Sequence, residues 1–177
     1  MRSNHRAACL AVAFLLLPVV APAQDADPVC LGLFESSKNP PADEPTPQQA
    51  KKLESCDSEH LYYGERSPAN LVAARHCAYV EREGYDLPSV SGAAVLMMLY
   101  ANGLGVGRNI ELAQMFNCEV GGSVEEVSAR RARLEAWAKS DKSREFDICD
   151  GAAVGFLKEI CDGKAARLAA ASKQRKP

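Results

Sequence analysis

The sequence is short of the residues that catalysis most often uses. It has three histidines, His5, His60 and His76, and the first falls in an N-terminal leader, so two remain to act as a base. It has no C-x-x-C, which removes the usual thioredoxin-like exchange motif. It has no Gly-Lys-Ser/Thr, which removes a Walker phosphate loop. After Val20 no apolar run approaches the length of a bilayer span. The basic face or stripe that marks nucleic-acid binders is missing as well, since 21 basic side chains face 23 acidic ones. No segment alternates apolar and polar residues as a half-buried strand does. These absences turn attention from chemistry to scaffolding.

What is present begins with a leader. Arg2, His5 and Arg6 form a short basic and polar start, an apolar run extends from Ala7 to Val20, and Ala21-Pro22-Ala23 is a small-x-small cleavage signature. That order predicts a secretory signal peptide over residues 1–23 and a mature chain starting at Gln24. Cys9 lies near the start of the apolar run and not just after its cleavage site, so it is not a lipid-bearing cysteine, and there is no twin arginine. Loss of Arg2 and Arg6 leaves 19 basic against 23 acidic side chains, a balance of −4. The remaining length suits one compact domain in the periplasm or outside the cell.

Six cysteines stay in the mature chain: Cys30, Cys56, Cys77, Cys118, Cys149 and Cys161. An even number in an exported chain reads as a disulfide framework. The apolar residues are rich in alanine and low in aromatics, so covalent staples offset part of what a thin core lacks.

The rest of the chain reads as helices. Residues 24–46 form an apolar stub around Cys30 and a Pro-rich extended linker, SSKNPPADEPTP from Ser36. A helical domain is expected over 47–140. Thr46-Pro47 and Ser67-Pro68 each place a capping residue before a proline, Asp57–Tyr63 forms a short helix stopped by Gly64, and Ser123 with Glu126 makes a capping box. The helix opened by Ser67-Pro68 turns Leu71, Ala74, Ala78 and Tyr79 inward. In the centre, Ala93, Leu96, Met97 and Tyr100 fall on one helical stripe, and Ala113, Phe116 and Val120 on a second. In the last helix of this domain Val124, Val127, Leu134 and Trp137 line one side, leaving Arg130, Arg131 and Arg133 to a solvated face. The fold class predicted is all-α, built from helical hairpins.

Between the two central stripes lies Gly103-Leu104-Gly105-Val106-Gly107-Arg108. A dinucleotide loop needs G-x-G-x-x-G after a strand, but position 108 is arginine and the preceding segment has a helical period. A hinge accounts for each residue. Gly103 ends one helix in the left-handed conformation, Gly105 lets the chain reverse, Val106 tucks between the helices and Asn109 caps the next.

"AAVLMMLYANGLGVGRNIELAQMF" resembles a Sel1-like repeat, a relative of the tetratricopeptide repeat. The matching positions are Ala93, Leu96, Tyr100, Gly103, Gly105, Val106 and Ala113. "LYYGERSPANLVAARHCAYV" resembles a shortened copy through Gly64, Asn70, Ala74 and Cys77. The resemblance implies a short solenoid of stacked hairpins that binds a protein or peptide in the cell envelope. The C-terminal segment, 141–177, contains "FDICDGAAVGFLKEICDGKAARLAA" and is similar to a truncated LprI-like lysozyme-inhibitor module. That similarity implies inhibition of a cell-wall hydrolase such as lysozyme as the alternative function, and it implies a Cys149–Cys161 link.

Three cysteine pairs are expected. Antiparallel packing brings Cys56, before the Asp57–Tyr63 helix, to Cys77. Cys149 and Cys161 would lie about 18 Å apart on one continuous helix, so a turn near Gly151 to Gly155 is needed to join them. Cys30 is then left for Cys118, with Cys118–Cys149 as the rival pairing. Cys56, His60, His76 and Cys77 also suggest a tetrahedral zinc site, against which the oxidising compartment favours a disulfide. Acidic residues at Glu81, Glu83, Glu125 and Glu126 are adjacent or two apart, which points them away from each other, as on a solvated face or in a first turn. No catalytic residue, cofactor or metal is expected, nor a nucleic-acid partner or a membrane span after signal cleavage. The chain recovered from outside the cytoplasm should have the intact mass of a protein starting at Gln24. Retention of Met1 would overturn the cleaved-leader reading.

Overall fold

The structure, a computed structural model, describes residues 27–53, 55–64, 69–83, 90–140, 145–149 and 161. The expected signal peptide, most of the C-terminal module and the Ser67-Pro68 helix start lie outside these residues. Within them every regular element is a helix: α1 Pro28–Ser36, α2 Pro47–Lys51, α3 Ser58–Tyr63, α4 Leu71–Glu83, α5 Val90–Asn102, α6 Ile110–Val120 and α7 Val124–Lys139.

Local chemistry explains where most of these helices start. The side-chain oxygens of Asp27, Thr46, Asp57, Asn109 and Ser123 each accept a bond from a main-chain N–H in the first turn of α1, α2, α3, α6 and α7. Thr46 and Ser123 complete reciprocal capping boxes with Gln49 and Glu126. Helix α4 begins at Leu71, later than Ser67-Pro68 suggested. Its capping side chain is Asn70, which accepts from the Ala73 N–H at 3.0 Å. The apolar stub is itself a helix, α1, because Asp27-Pro28 supplies the same cap-then-proline signal that opens α2. Helix α2, opened by Thr46-Pro47, ends at Lys51.

Helix α5 is the centre of the molecule. Every residue from Gly92 to Ala101 is buried, and α4, α6 and α3 pack around it. A Cβ on Gly92 would sit 2.6 Å from the Ala78 carbonyl, so the glycine is what lets α4 and α5 cross closely. The five core positions expected from the repeat pattern, Ala93, Leu96, Tyr100, Ala113 and Phe116, are all at most 1% exposed. Tyr100 stacks on Phe116 with ring centroids 5.6 Å apart, and Tyr79 meets Phe116 edge-on at 6.2 Å. Arg82 joins α4 to α6 through paired bonds to Glu119 at 2.5 and 2.8 Å, with its guanidinium 5.3 Å from the Phe116 ring centre.

The expected extended linker does more than span a gap. After α1 it makes a turn closed by Asp43 N–H to Pro40 O at 2.9 Å. Asp43 then receives the Tyr100 hydroxyl at 3.0 Å, while Tyr100 takes the Tyr79 hydroxyl at 2.8 Å. Arg75 lies 3.5 Å from the same carboxylate. Two buried phenols are thus satisfied by one linker residue.

Disulfides tie the periphery to this centre. They join Cys30 to Cys118, Cys56 to Cys77 and Cys149 to Cys161, so Cys118 does not reach Cys149. The first fastens α1 to α6 across a sequence separation of 88 residues. Ser36 and Ser37 reinforce that contact by donating to Glu111 at 3.2 and 3.1 Å.

The hinge between α5 and α6 shows the geometry that glycine permits. Gly103 and Gly105 have φ of 71° and 68°, and Val106 packs partly buried against the core. A Cβ at Gly105 would lie 3.1 Å from Leu71 Cβ, whereas one at Gly107 meets nothing within 4 Å. Gly105→Val should therefore destabilise the fold by about 1–3 kcal/mol, and Gly107→Ala should stay within about 0.5 kcal/mol of the parent. Denaturant midpoints of the two variants check this. Equal midpoints would refute the hinge account.

Candidate functional site

The glycine stretch is the first place to look for a ligand, and its first two N–H groups are already committed. Gly103 and Leu104 N–H both donate to Leu99 O, at 2.9 and 3.1 Å, and Asn109 N–H donates to Tyr100 O at 2.9 Å. The Gly105 carbonyl accepts from Arg75. These groups close the end of α5 onto the start of α6, the bonding expected of a helix-terminating hinge. Arg108 turns back as well, donating to Ala101 O at 3.1 Å.

The cysteine–histidine cluster resolves differently from a zinc centre. The Cys56 and Cys77 sulfurs are bonded to each other, so neither is a thiolate ligand. The ligand-type group gathered beside them is Glu81, not a histidine. Glu81 is a correction to the solvated-face expectation. Its carboxylate accepts the Ser58 N–H at 3.0 Å and the Ser58 hydroxyl at 2.5 Å, holding the start of α3 against α4. Burial pushes its pKa up, and the Ser58 bonds oppose that. His60 pairs with Asp57 at 2.6 Å, and His76 lies 3.3 Å from an Arg75 nitrogen. Burial, with the adjacent Arg75 charge, lowers the His76 pKa.

The arginines of α7 give the largest correction. Arg130, Arg131 and Arg133 were expected on a solvated face, yet each reaches inward to a different partner. Arg130 is 5% exposed and donates to Asn117 Oδ1 at 2.7 Å and to the Gly121 carbonyl. Arg131 pairs with Asp27 and so clamps α1, and the Arg131 bond lowers the Asp27 pKa. Arg133 donates to Asp147 O at 3.2 Å and Ile148 O at 3.4 Å. The signal for Arg130 was readable: it lies between Val127 and Leu134 at helical spacing, on the apolar stripe itself. Val124, by contrast, is 47% exposed and is not part of that stripe's buried set.

Following Arg133 leads to a cleft between α3, α5 and α7 that holds residues 145–149. The Phe146 N–H donates to Asn102 Oδ1 at 2.7 Å, and the Phe146 carbonyl accepts from Asn102 Nδ2 at 2.9 Å. One carboxamide at the end of α5 thus satisfies both main-chain groups of one residue. The Phe146 ring, 4% exposed, meets Trp137 at 5.7 Å between centroids and lies 5.7 Å from the Arg133 guanidinium. Arg108 covers Trp137 at 4.8 Å, so the hinge arginine supports the aromatic wall. The Tyr63 hydroxyl approaches Asp147 Oδ2 at 3.4 Å, and Ile148 is 5% exposed. Tyr62 and Tyr63, edge to face at 4.8 Å, line the α3 side. Sequence reasoning did not find this site, because no local period marks a segment that packs through side chains alone.

Family models, curated proteins and solved structures yield no match to this chain.

Burial pushes the phenols of Tyr62 and Tyr79 up to about 12, from an ordinary value of 10.0. The folded state therefore favours the neutral phenol. The stabilisation from this preference is fully present below pH 10 and is lost as pH rises through about 12. A spectrophotometric titration should show these phenols ionising together with loss of helical signal in that window. Ionisation of every tyrosine at the ordinary value, with helices intact, would contradict the burial.

Proposed function

We propose that this chain is an exported, disulfide-stapled helical-repeat scaffold that binds a protein or peptide partner and does no chemistry of its own. The observation that carries this reading is the surface between α3, α5 and α7, whose side chains hold the chain's own main chain at Phe146, Asp147 and Ile148. Helical hairpins that stack side by side supply such surfaces. The α5–α6 hairpin with its glycine hinge, preceded by the shorter α3–α4 pair, supports a Sel1-like arrangement of repeats.

The chemistry points the same way. Among the described residues, Glu81 and the six cysteines are spent on structure, Glu81 on Ser58 and the cysteines on one another. Bonded cysteine pairs are characteristic of an oxidising compartment, which supports a periplasmic or secreted location. No helix among the described residues is long and apolar enough to cross a membrane.

A second reading is inhibition of a cell-wall hydrolase such as lysozyme by blocking its cleft. It is favoured by the Cys149–Cys161 bond, which closes the part of the chain that resembles an inhibitor module.

Two measurements separate the readings. The oxidised full chain, immobilised and exposed to an envelope extract, should retain a defined partner that the chain unfolded and reduced does not retain. Lysozyme turnover should be unchanged by a stoichiometric excess of the protein. Dose-dependent inhibition would install the second reading, and turnover of a hydrolase substrate by the chain itself would refute the non-catalytic one.

A further inference from the structure

A disulfide opens when a thiolate attacks one of its sulfurs and the other leaves as a thiolate. Attack needs access to the first sulfur, and departure is faster when negative charge on the second is stabilised. The Cys30–Cys118 bond meets both conditions, on opposite sulfurs. Cys118, in α6, is the more exposed of the two, whereas Cys30 is 8% exposed. An incoming thiol therefore meets Cys118 first.

The sulfur that would leave sits beside a cation. An Arg131 guanidinium nitrogen lies 3.9 Å from Cys30 Sγ. The same guanidinium pairs with Asp27, and its Nε–H is buried with no hydrogen-bond partner among the described residues. An unpaired buried donor is costly at rest, and a Cys30 thiolate would supply this guanidinium with a second anion. Cys30 is also the third residue of α1, within the first turn, where the helix favours negative charge. Asp27 is the opposing charge, since its carboxylate caps the same turn. The Cys56–Cys77 bond has the reverse arrangement. Cys77 is fully buried, and its sulfur lies 3.7 Å from a Glu81 carboxylate oxygen, so a thiolate leaving there would meet negative charge.

We propose that Cys30–Cys118 is a thiol-exchange site, at which a low-molecular-weight thiol adds to Cys118 and Cys30 departs as a thiolate held by Arg131, unpinning α1. The attacking thiolate gives its electron pair to a new S–S bond with Cys118, and the pair of the old bond leaves on Cys30. One disulfide is exchanged for another, so no further oxidant or reductant enters. The ties of α1 that remain are noncovalent: Asp27 to Arg131, Ser36 and Ser37 to Glu111, and the buried Leu33. The site is independent of the partner-binding reading above.

The test exposes the oxidised full chain to reduced glutathione, with acid quenching, alkylation of free thiols and peptide mapping against time. On the parent, glutathione should be found on Cys118 and the alkyl label on Cys30. The reverse labelling overturns the proposal without any variant. Arg131→Gln should slow opening of this bond about tenfold and leave the Cys56–Cys77 rate unchanged. Asp27→Asn breaks the same clamp but keeps the cation, and should open at least as fast as the parent. Mere loosening of α1 would make both variants faster. Arg131→Gln opening at or above the parent's rate therefore refutes the role of the charge, as does equal slowing at Cys56–Cys77 or slowing by Asp27→Asn. Circular dichroism melts establish that each variant is folded; if Arg131→Gln is not, the parent's labelling and Asp27→Asn decide. Hydrogen exchange should quicken in α1 of the glutathione-bearing parent while α5 stays protected. Unchanged protection of α1 would overturn the unpinning.

Discussion

The described helices are arranged around the need to cover α5. A helix that is apolar on all sides has no face to give to water, so each side must meet another element. Helices α4 and α6 cover two sides, with Gly92 permitting the close approach of α4. Helix α3 and the segment at Phe146 to Ile148 cover what remains. The polar groups near the end of α5 set where that cover attaches. Tyr100 fixes the linker through Asp43, and Asn102 fixes the C-terminal segment through Phe146. Both attachments satisfy groups that would be costly to bury unpaired.

The periphery is held by cross-links because the core is thin. Six of its 25 described buried apolar residues are alanine, and alanine contributes little apolar area per residue ordered. Cys30–Cys118 restricts the unfolded chain over its longest loop and pins α1, a helix that buries only Cys30 and Leu33. The three arginines of α7 act as ties in three directions, to α6, to α1 and to the C-terminal segment. Arginine suits this role because its long stem packs while its fork reaches several carbonyls.

What could be read from the sequence was what local physics determines. Caps such as Thr46 and Ser123, the turn glycines Gly103 and Gly105, and the helical period of α5 and α6 depend on residues a few positions apart. The pairing of Cys56 with Cys77 followed from hairpin geometry. The helix at Pro28 was not expected although Asp27-Pro28 repeats the cap-then-proline signal of Thr46-Pro47, because a helix this short is held by its packing and its bond to α6, 88 residues away at Cys118. The inward turn of Arg131 and Arg133 depends on Asp27 and Asp147, 104 and 14 residues away, so no window along the chain contains both halves of the first contact. The cleft was illegible for the same reason: Asn102 is an ordinary helix end until Phe146 arrives 44 residues later.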